Sequence, residues 1–245
     1  MGTSRIKSVA VRLFALVLAV ICPPSKGAII VDLSNVVGPK VEYWGWDLKG
    51  KPDLFDNPRQ VEKHYSNGAN LLRIPIYANA DSSDGVTNQQ VYAAVIAGVK
   101  NVMAAHPEIK IFASLKLEGA HTFPAWMNST EKGKIFDKTV SDPDPGKYAQ
   151  MLTDYVVYMQ QNGIKLDYLG INNEVENALT PQRYVSTVNA LREQLQHRNV
   201  SAEYAKFKLV GPETFSVRAG LNYLAELAGD REGIWFDMDK AVRRG

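Results

Sequence analysis

The sequence predicts an α/β fold of the (β/α)8 TIM-barrel type, incomplete, with about five to six βα units. Three observations predict it. Past residue 40, short apolar runs alternate with longer amphipathic ones, the pattern of a parallel sheet with helices outside. No strand-to-helix turn carries the glycine-rich phosphate fingerprint that a dinucleotide-binding sheet needs after its first strand. Polar and aromatic residues instead gather after successive strands: Trp44, Trp46 and Asp47, then Arg73, Ser114 and His121, Asn173 and Glu174, and Glu213. Contributions from many strand ends to one mouth are what a β/α barrel provides.

The elements follow in order. Val41 to Leu48 reads as a first strand, rich in aromatics. Asn57 to Ser66 reads as a helix, with Pro58 in its first turn and Gly68 just past its end. Leu71 to Ile76 is a second strand, and its Pro75 belongs near the strand's end because proline cannot donate to a ladder. Thr87 to Ala105 is a long helix with Val91, Ala94, Val95, Val99 and Val102 on the buried stripe. Gly98 shares that stripe and lets the backbone pack closely against a sheet.

Lys110 to Leu117 is a third strand, followed by a polar, aromatic-dotted loop from Glu118 to about Pro145. Tyr148 to Gln161 is helical, closed by Gly163. The fourth strand, Leu166 to Ile171, stops abruptly at Asn172-Asn173-Glu174. Pro181 to Gln196 is a helix entered through Thr180 as N-cap. Phe207 to Gly211 is a fifth strand, Val217 to Leu227 a fifth helix, and Gly233 to Asp237 begins a sixth strand.

The chain of 245 residues is 45% hydrophobic, enough for one sizeable core. Its formal charge of +2 is local in origin. Residues 1–27 hold Arg5, Lys7, Arg12 and Lys26 with no acidic residue, so the remainder is slightly acidic and gives no electrostatic reason to expect nucleic acid as a partner. The same residues read as a signal peptide: a basic segment, an apolar run from Leu13 to Cys22, and the small residues Ser25 and Gly27 before Ala28. The run is short for a membrane span. A secreted, periplasmic or extracellular protein is expected, with residues 28–245 as a partial barrel domain and no membrane span after cleavage. Cys22 is the only cysteine, so the mature chain holds no disulfide, thiolate metal site or cysteine nucleophile. Asn128-Ser129-Thr130 and Asn199-Val200-Ser201 have the form of glycosylation sequons.

Asn173-Glu174 at a strand end reads in two ways. It caps the next helix, or it supplies a catalytic carboxyl. A carboxylic acid beside an amide suits glycosidic bond cleavage, in which the acid protonates the departing oxygen and then activates water. Asn173 suits a sugar hydroxyl, and a cationic Arg73 at the neighbouring strand end keeps a partner carboxylate ionised. Trp44, Trp46 and Trp126 are candidates for stacking on sugar faces, or for packing a core.

Arg73-Ile74-Pro75-Ile76, Phe123-Pro124-Ala125-Trp126-Met127 and Asn173-Glu174 together resemble glycoside hydrolase family 30, which includes glucosylceramidases, β-1,6-glucanases and glucuronoxylanases. The family lies within the clan of retaining β/α-barrel hydrolases. The resemblance covers roughly residues 40–215. It implies Glu174 as general acid/base, Asn173 as the amide before it, and Arg73 as the arginine that supports the carboxylates. Trp126 lies in the loop that shapes the pocket, and His121, Trp46 and Glu213 are further substrate-binding candidates. Val175 stands where the family commonly has proline, and Leu115 to His121 lacks its Trp-Ser-Pro pattern. The retaining mechanism requires a second carboxylate about 5 Å from the first, and in the family it comes from strand seven. Only six strands are read here, so strands seven and eight and the nucleophile carboxylate of strand seven are expected to be missing from this chain, and Glu213, the one later carboxylate at a strand end, reads as a supporting or substrate-binding residue rather than a displaced nucleophile.

The implied function is a secreted retaining glycosidase acting on a β-glucan, a xylan or a glycosylated lipid. The alternatives are another hydrolase of the clan, cellulase- or mannanase-like, or a noncatalytic carbohydrate-binding fragment. A monomer without cofactor is expected. No metal is expected either, because His64, His106, His121 and His197 show no ligand spacing.

Overall fold

The computed structural model describes residues 41–78, 80, 87–116, 123–135, 138–174, 179–214 and 216–229. The signal-peptide reading, His121, Val175 and the sixth strand expected at Gly233 to Asp237 lie outside the described residues. All the elements below fall within the unit Glu42–Gly245.

Five strands form one parallel sheet: β1 (Gly45–Asp47), β2 (Leu71–Tyr77), β3 (Lys110–Lys116), β6 (Tyr168–Gly170) and β7 (Lys208–Val210). Each pairs with the next in chain order, with no reversal of direction around the sheet. A doubly wound sheet reverses at a switch point, so sequential pairing identifies successive staves of a barrel. Helices α1 (Pro58–Tyr65), α2 (Gln89–Ala105), α3 (Pro145–Gln161), α4 (Pro181–His197) and α5 (Val217–Gly229) complete the βα alternation. No helix among the described residues is long and apolar enough to cross a membrane.

Local chemistry explains the boundaries. Asn57, Asn88, Asp144 and Thr180 each accept a backbone N–H of the first turn of their helix, and Pro58, Pro145 and Pro181 sit where no donor is needed. Helix α3 therefore starts one turn before the expected Tyr148. Gly68 and Gly163 take φ of 86° and 71° beyond the ends of α1 and α3, a conformation that disfavours any side chain.

The register fixes which side chains face inward. Asp47, Arg73, Phe112, Tyr168 and Lys208 stand side by side in one row, and Pro75, Ser114, Gly170 and Val210 in another row on the same face. The intervening residues Leu72, Ile74, Ile76, Ile111, Ala113, Leu115 and Leu169 face the helices and are essentially inaccessible. Each such aliphatic side chain contributes about 1.5–3 kcal/mol on burial. The inner face is more polar, and Arg73, Phe112 and Tyr168 on it are only half-buried.

Four expectations change. The first strand is confined to Gly45–Asp47, the residues in register with β2, flanked by the Trp44 carbonyl, which accepts the Leu71 N–H at 3.2 Å, and the Leu48 N–H, 2.9 Å from the Arg73 carbonyl. Pro75 lies inside β2 rather than at its end, and it is tolerated because β1 pairs only as far as Arg73. Val91 is exposed, since Tyr92, Val95, Ile96, Val99 and Val102 occupy the buried face of α2. The loop expected from Glu118 to Pro145 contains a short 3-10 turn, Ala125–Met127, and an antiparallel hairpin of β4 (Asn128–Ile135) and β5 (Lys138–Pro143).

Tyrosines on the helices brace the strand ends. The Tyr92 hydroxyl accepts the Tyr77 N–H at 2.8 Å, Tyr155 donates to the Pro75 carbonyl at 3.2 Å, and Tyr148 donates to the Ile171 carbonyl at 2.7 Å. Each contributes about 1 kcal/mol and satisfies a backbone group that the short ladders leave over.

Gly45 is the tightest point of the sheet, since a Cβ there would lie 1.6 Å from the Leu71 carbonyl oxygen. Backbone cannot yield as a side chain does, so Gly45→Ala is expected to cost about 3 kcal/mol and detach β1. Chemical denaturation of the variant against the unaltered chain reads that loss.

Candidate functional site

The site lies at the C-terminal ends of the parallel strands, and Arg73 is its centre. The side chain leaves the inner face of β2, and its Nη2 donates to Ser114 Oγ at 2.7 Å, Asn173 Oδ1 at 2.8 Å and Glu213 Oε1 at 2.7 Å. Nη1 lies 3.3 Å from Asp47 Oδ2, and the guanidinium carbon sits 5.3 Å from the centre of the Phe112 ring. One arginine thus touches β1, β2 and β3 and the segments that follow β6 and β7. A guanidinium suits this place because it presents five donors in a rigid plane and stays charged.

Glu213 is the buried carboxylate of the cluster, its side chain 14% exposed. Ser114 donates to it, with Oγ 2.9 Å from Oε1 and 3.2 Å from Oε2. Gly170 makes room for it, since a Cβ at 170 would lie 1.9 Å from Glu213 Oε2. Burial holds the carboxyl above the usual carboxylate range, against the opposing pull of Arg73, Ser114 and Lys49.

Asn173 and Glu213 also pair through their backbones as an isolated parallel bridge, and the Glu174 N–H donates to the Glu213 carbonyl at 2.6 Å. The β6–β7 contact thereby continues beyond the strands. Glu174 itself adopts φ 57°, uncommon for a residue with a side chain, and is exposed. Such a conformation costs about 1–3 kcal/mol and persists where surrounding bonds enforce it. Asn173 has its orientation fixed by chemistry: arginine is only a donor, so Oδ1 faces Arg73 and the amide NH2 faces away from it.

The structure therefore brings together Arg73, Asn173 and Glu213, with Glu174 adjacent, and it places Trp44 and Trp46 away from them. Trp46 points to the helix side of the sheet, where its indole N–H donates to the His64 carbonyl at 2.8 Å and its ring packs edge-on against His64 at 4.4 Å. The expectation of Trp46 as a sugar-binding residue is corrected on this ground: it alternates with Asp47, so only one of the two can face inward. Trp44 precedes β1 and belongs to the opposite end of the sheet. Trp126 lies in the 3-10 turn, half-buried and packed against the core.

Ser114, expected among the strand-end polar residues, enters the site, and so does Lys49, which lies outside the sequence-based set. Ser114 bridges Arg73 and Glu213, and Lys49 lies within the field of Arg73, Glu213, Asp47 and Glu174. Period-two alternation carries the signal for Ser114, which shares a face with Arg73 through their neighbouring rows.

The fold is similar to that of the catalytic domain of GH30 xylanase C from Talaromyces cellulolyticus, with a TM-score of 0.51 at 19% identity over 76% of this chain and 49% of that one. A GH30 endoxylanase from Clostridium papyrosolvens C71 matches with a TM-score of 0.49 and 22% identity over 68% and 41% of the two chains. The endo-β-1,6-glucanase BT3312 matches with a TM-score of 0.47 and 16% identity over 74% and 43%. The chain thus spans about half the length of the xylanase catalytic domain. No family model and no curated protein matches the sequence. The expected incomplete α/β barrel is what the described residues show, with a fold similar to part of the xylanase catalytic domain.

The raised Glu213 pKa carries a definite sign. Below the ordinary carboxylate value of 4.5 the group is protonated in folded and unfolded chains alike, and burial of its charge costs nothing. As pH rises past that value and through the raised one, the folded state holds the proton longer and loses stability relative to the unfolded chain. Glu213→Gln lacks this titration. The stability of the unaltered protein minus that of Glu213→Gln is therefore expected to fall as pH rises through this window, read by urea unfolding at a series of pH values.

Proposed function

We propose, with the barrel fold of glycoside hydrolase family 30 as premise, that this chain carries the acid/base side of a retaining glycosidase site for a β-linked glycan or glycoconjugate. The observation that carries the reading is the junction of Arg73 with Asn173 at 2.8 Å, which puts an oriented amide next to the exposed Glu174 at the strand ends. Glu174 protonates the leaving glycosidic oxygen and then accepts a proton from the attacking water. Asn173, its Oδ1 occupied by Arg73, offers its NH2 to a sugar hydroxyl, and that bond strengthens as charge develops on the ring. Xylan and β-1,6-glucan, the substrates named for the similar folds, are the first to try, with glucosylceramide as the glycolipid.

A second reading, sugar binding without hydrolysis, is favoured by Glu213. Both its oxygens are hydrogen-bonded to Ser114, one also to Arg73, so it is engaged as a structural carboxylate rather than presented as a nucleophile.

Turnover by the purified chain on the three substrates, beside calorimetric binding, separates the readings. Under the hydrolase reading, Glu174→Gln lowers kcat by roughly a hundredfold to ten-thousandfold on glycans. The loss is smaller on aryl glycosides, whose leaving groups need little protonation. Stability changes by less than about 0.5 kcal/mol, as for other exposed positions. Sugar binding with no turnover, unchanged in Glu174→Gln, selects the binding reading instead.

Export belongs to the same proposal, with residues 1–27 as its signal. N-terminal sequencing of the protein recovered outside the producing cell is expected to begin at Ala28, and a start at Met1 rejects cleavage there.

A further inference from the structure

Two asparagine–glycine steps occur in the chain, Asn67-Gly68 and Asn162-Gly163, and each stands at the end of a helix. Asparagine before glycine is the step most open to loss of its side-chain amide, because glycine has no Cβ to hinder approach to its backbone nitrogen. The fold treats the two steps differently. Asn162, half-buried, caps α3 and turns back on it, its Nδ2 donating to the Tyr158 carbonyl at 2.9 Å. Asn67 is exposed and turns forward, its Oδ1 accepting the Ala69 N–H at 3.3 Å. A backbone N–H only donates and a carbonyl only accepts, so these partners fix which atom of each amide points where.

That contrast bears on reactivity. The forward turn lays the Asn67 carboxamide along the peptide of Gly68, whose nitrogen is the attacking atom. The Ala69 N–H stands where negative charge develops on Oδ1 during the attack, as an oxyanion donor does. At Asn162 the leaving nitrogen is tied to Tyr158, and the side chain must give up that bond before it can face Gly163. The glycine nitrogens do not separate the two steps. Gly68 N–H donates to the Tyr65 carbonyl at 3.1 Å, and Gly163 N–H to the Gln160 carbonyl at 2.9 Å.

We propose that Asn67 is a site of spontaneous deamidation selected by the fold, with Asn162 as its protected counterpart. The Gly68 nitrogen gives its proton to solvent and bonds to Asn67 Cγ. The Cγ–Nδ2 bond breaks, and the amide nitrogen leaves as ammonia with a proton from water. The resulting succinimide ring takes up one water at either carbonyl and opens to aspartate or isoaspartate. One water is consumed, one ammonia is released, and nothing is oxidised or reduced. The product places a new carboxylate at the C-terminal end of α1, where the helix dipole is already negative. Isoaspartate also lengthens the main chain shortly before Asn70, whose side chain accepts the Trp44 N–H at 3.0 Å and donates to the Glu42 carbonyl at 2.8 Å ahead of β1. The proposal goes beyond the glycosidase reading and stands without it.

The test incubates the whole chain in mildly alkaline buffer made with heavy-oxygen water, so that each ring opening leaves a labelled carboxyl. Peptide mass spectrometry reads the rate at each asparagine. In the folded chain Asn67 is expected to react roughly tenfold faster than Asn162, a factor that corresponds to about 1.4 kcal/mol and to the loss of one hydrogen bond. In the urea-unfolded chain the two rates converge, because both steps then offer the same asparagine–glycine chemistry. Asn67→Gln removes the fast reaction and leaves that of Asn162 unchanged. Reaction at Asn67 no faster than at Asn162 in the folded chain overturns the proposal. So does a lead that survives in urea.

Discussion

The site depends on one guanidinium. Arg73 Nη2 is the only group among the described residues that bonds at once to β3, to the segment after β6 and to the segment after β7. Those contacts span 41, 100 and 140 residues of sequence, so they form only when every intervening βα unit has taken its place. Removing the charge would leave Glu213 buried without its counter-ion, the situation in which loss of one partner is far costlier than the pair is stabilising. The site and the folded barrel wall are thus held by the same bonds.

The division of labour between the two faces of the sheet follows from period two. On the helix side, close-packed Leu, Ile and Ala supply cohesion and need no polar partners. On the inner side, the rows through Asp47 and Arg73 and through Ser114 and Gly170 trade cohesion for chemistry. The polar groups there satisfy one another, with Ser114 both accepting from Arg73 and donating to Glu213. Tyrosines 92, 148 and 155 reach in from the helices to hold the strand ends, which couples the rigid outer layer to the backbone that carries the site.

Much of this was legible in the sequence because it obeys local rules. The order of βα units, the cap at Thr180, and the strand-end positions of Asn173 and Glu213 follow from periodicity and helix punctuation, whereas Arg73 sits third of seven in β2 rather than at its end. The β4–β5 hairpin escaped because neither Asn128–Ile135 nor Lys138–Pro143 shows an apolar alternation, leaving backbone pairing without a pattern to announce it. Trp46 escaped because an aromatic residue beside a polar one at a strand end gives no sign of which faces inward until the register is known. Lys49 escaped because its lowered pKa comes first from burial and then from Arg73, two dozen positions further along the chain, and neither is visible before the chain has folded.

Gly170 and Glu213 are forty-three positions apart, yet they occupy one space. The absent side chain of the first is the volume taken by the second. Neither can drift alone: a larger residue at 170 is admissible only beside a shorter one at 213, and a glycine at 170 beside a short residue leaves a hole at the centre of the charged cluster. In chains built on the same plan, these two positions are therefore expected to vary as a pair, and their joint history would record whether this cluster was kept or abandoned.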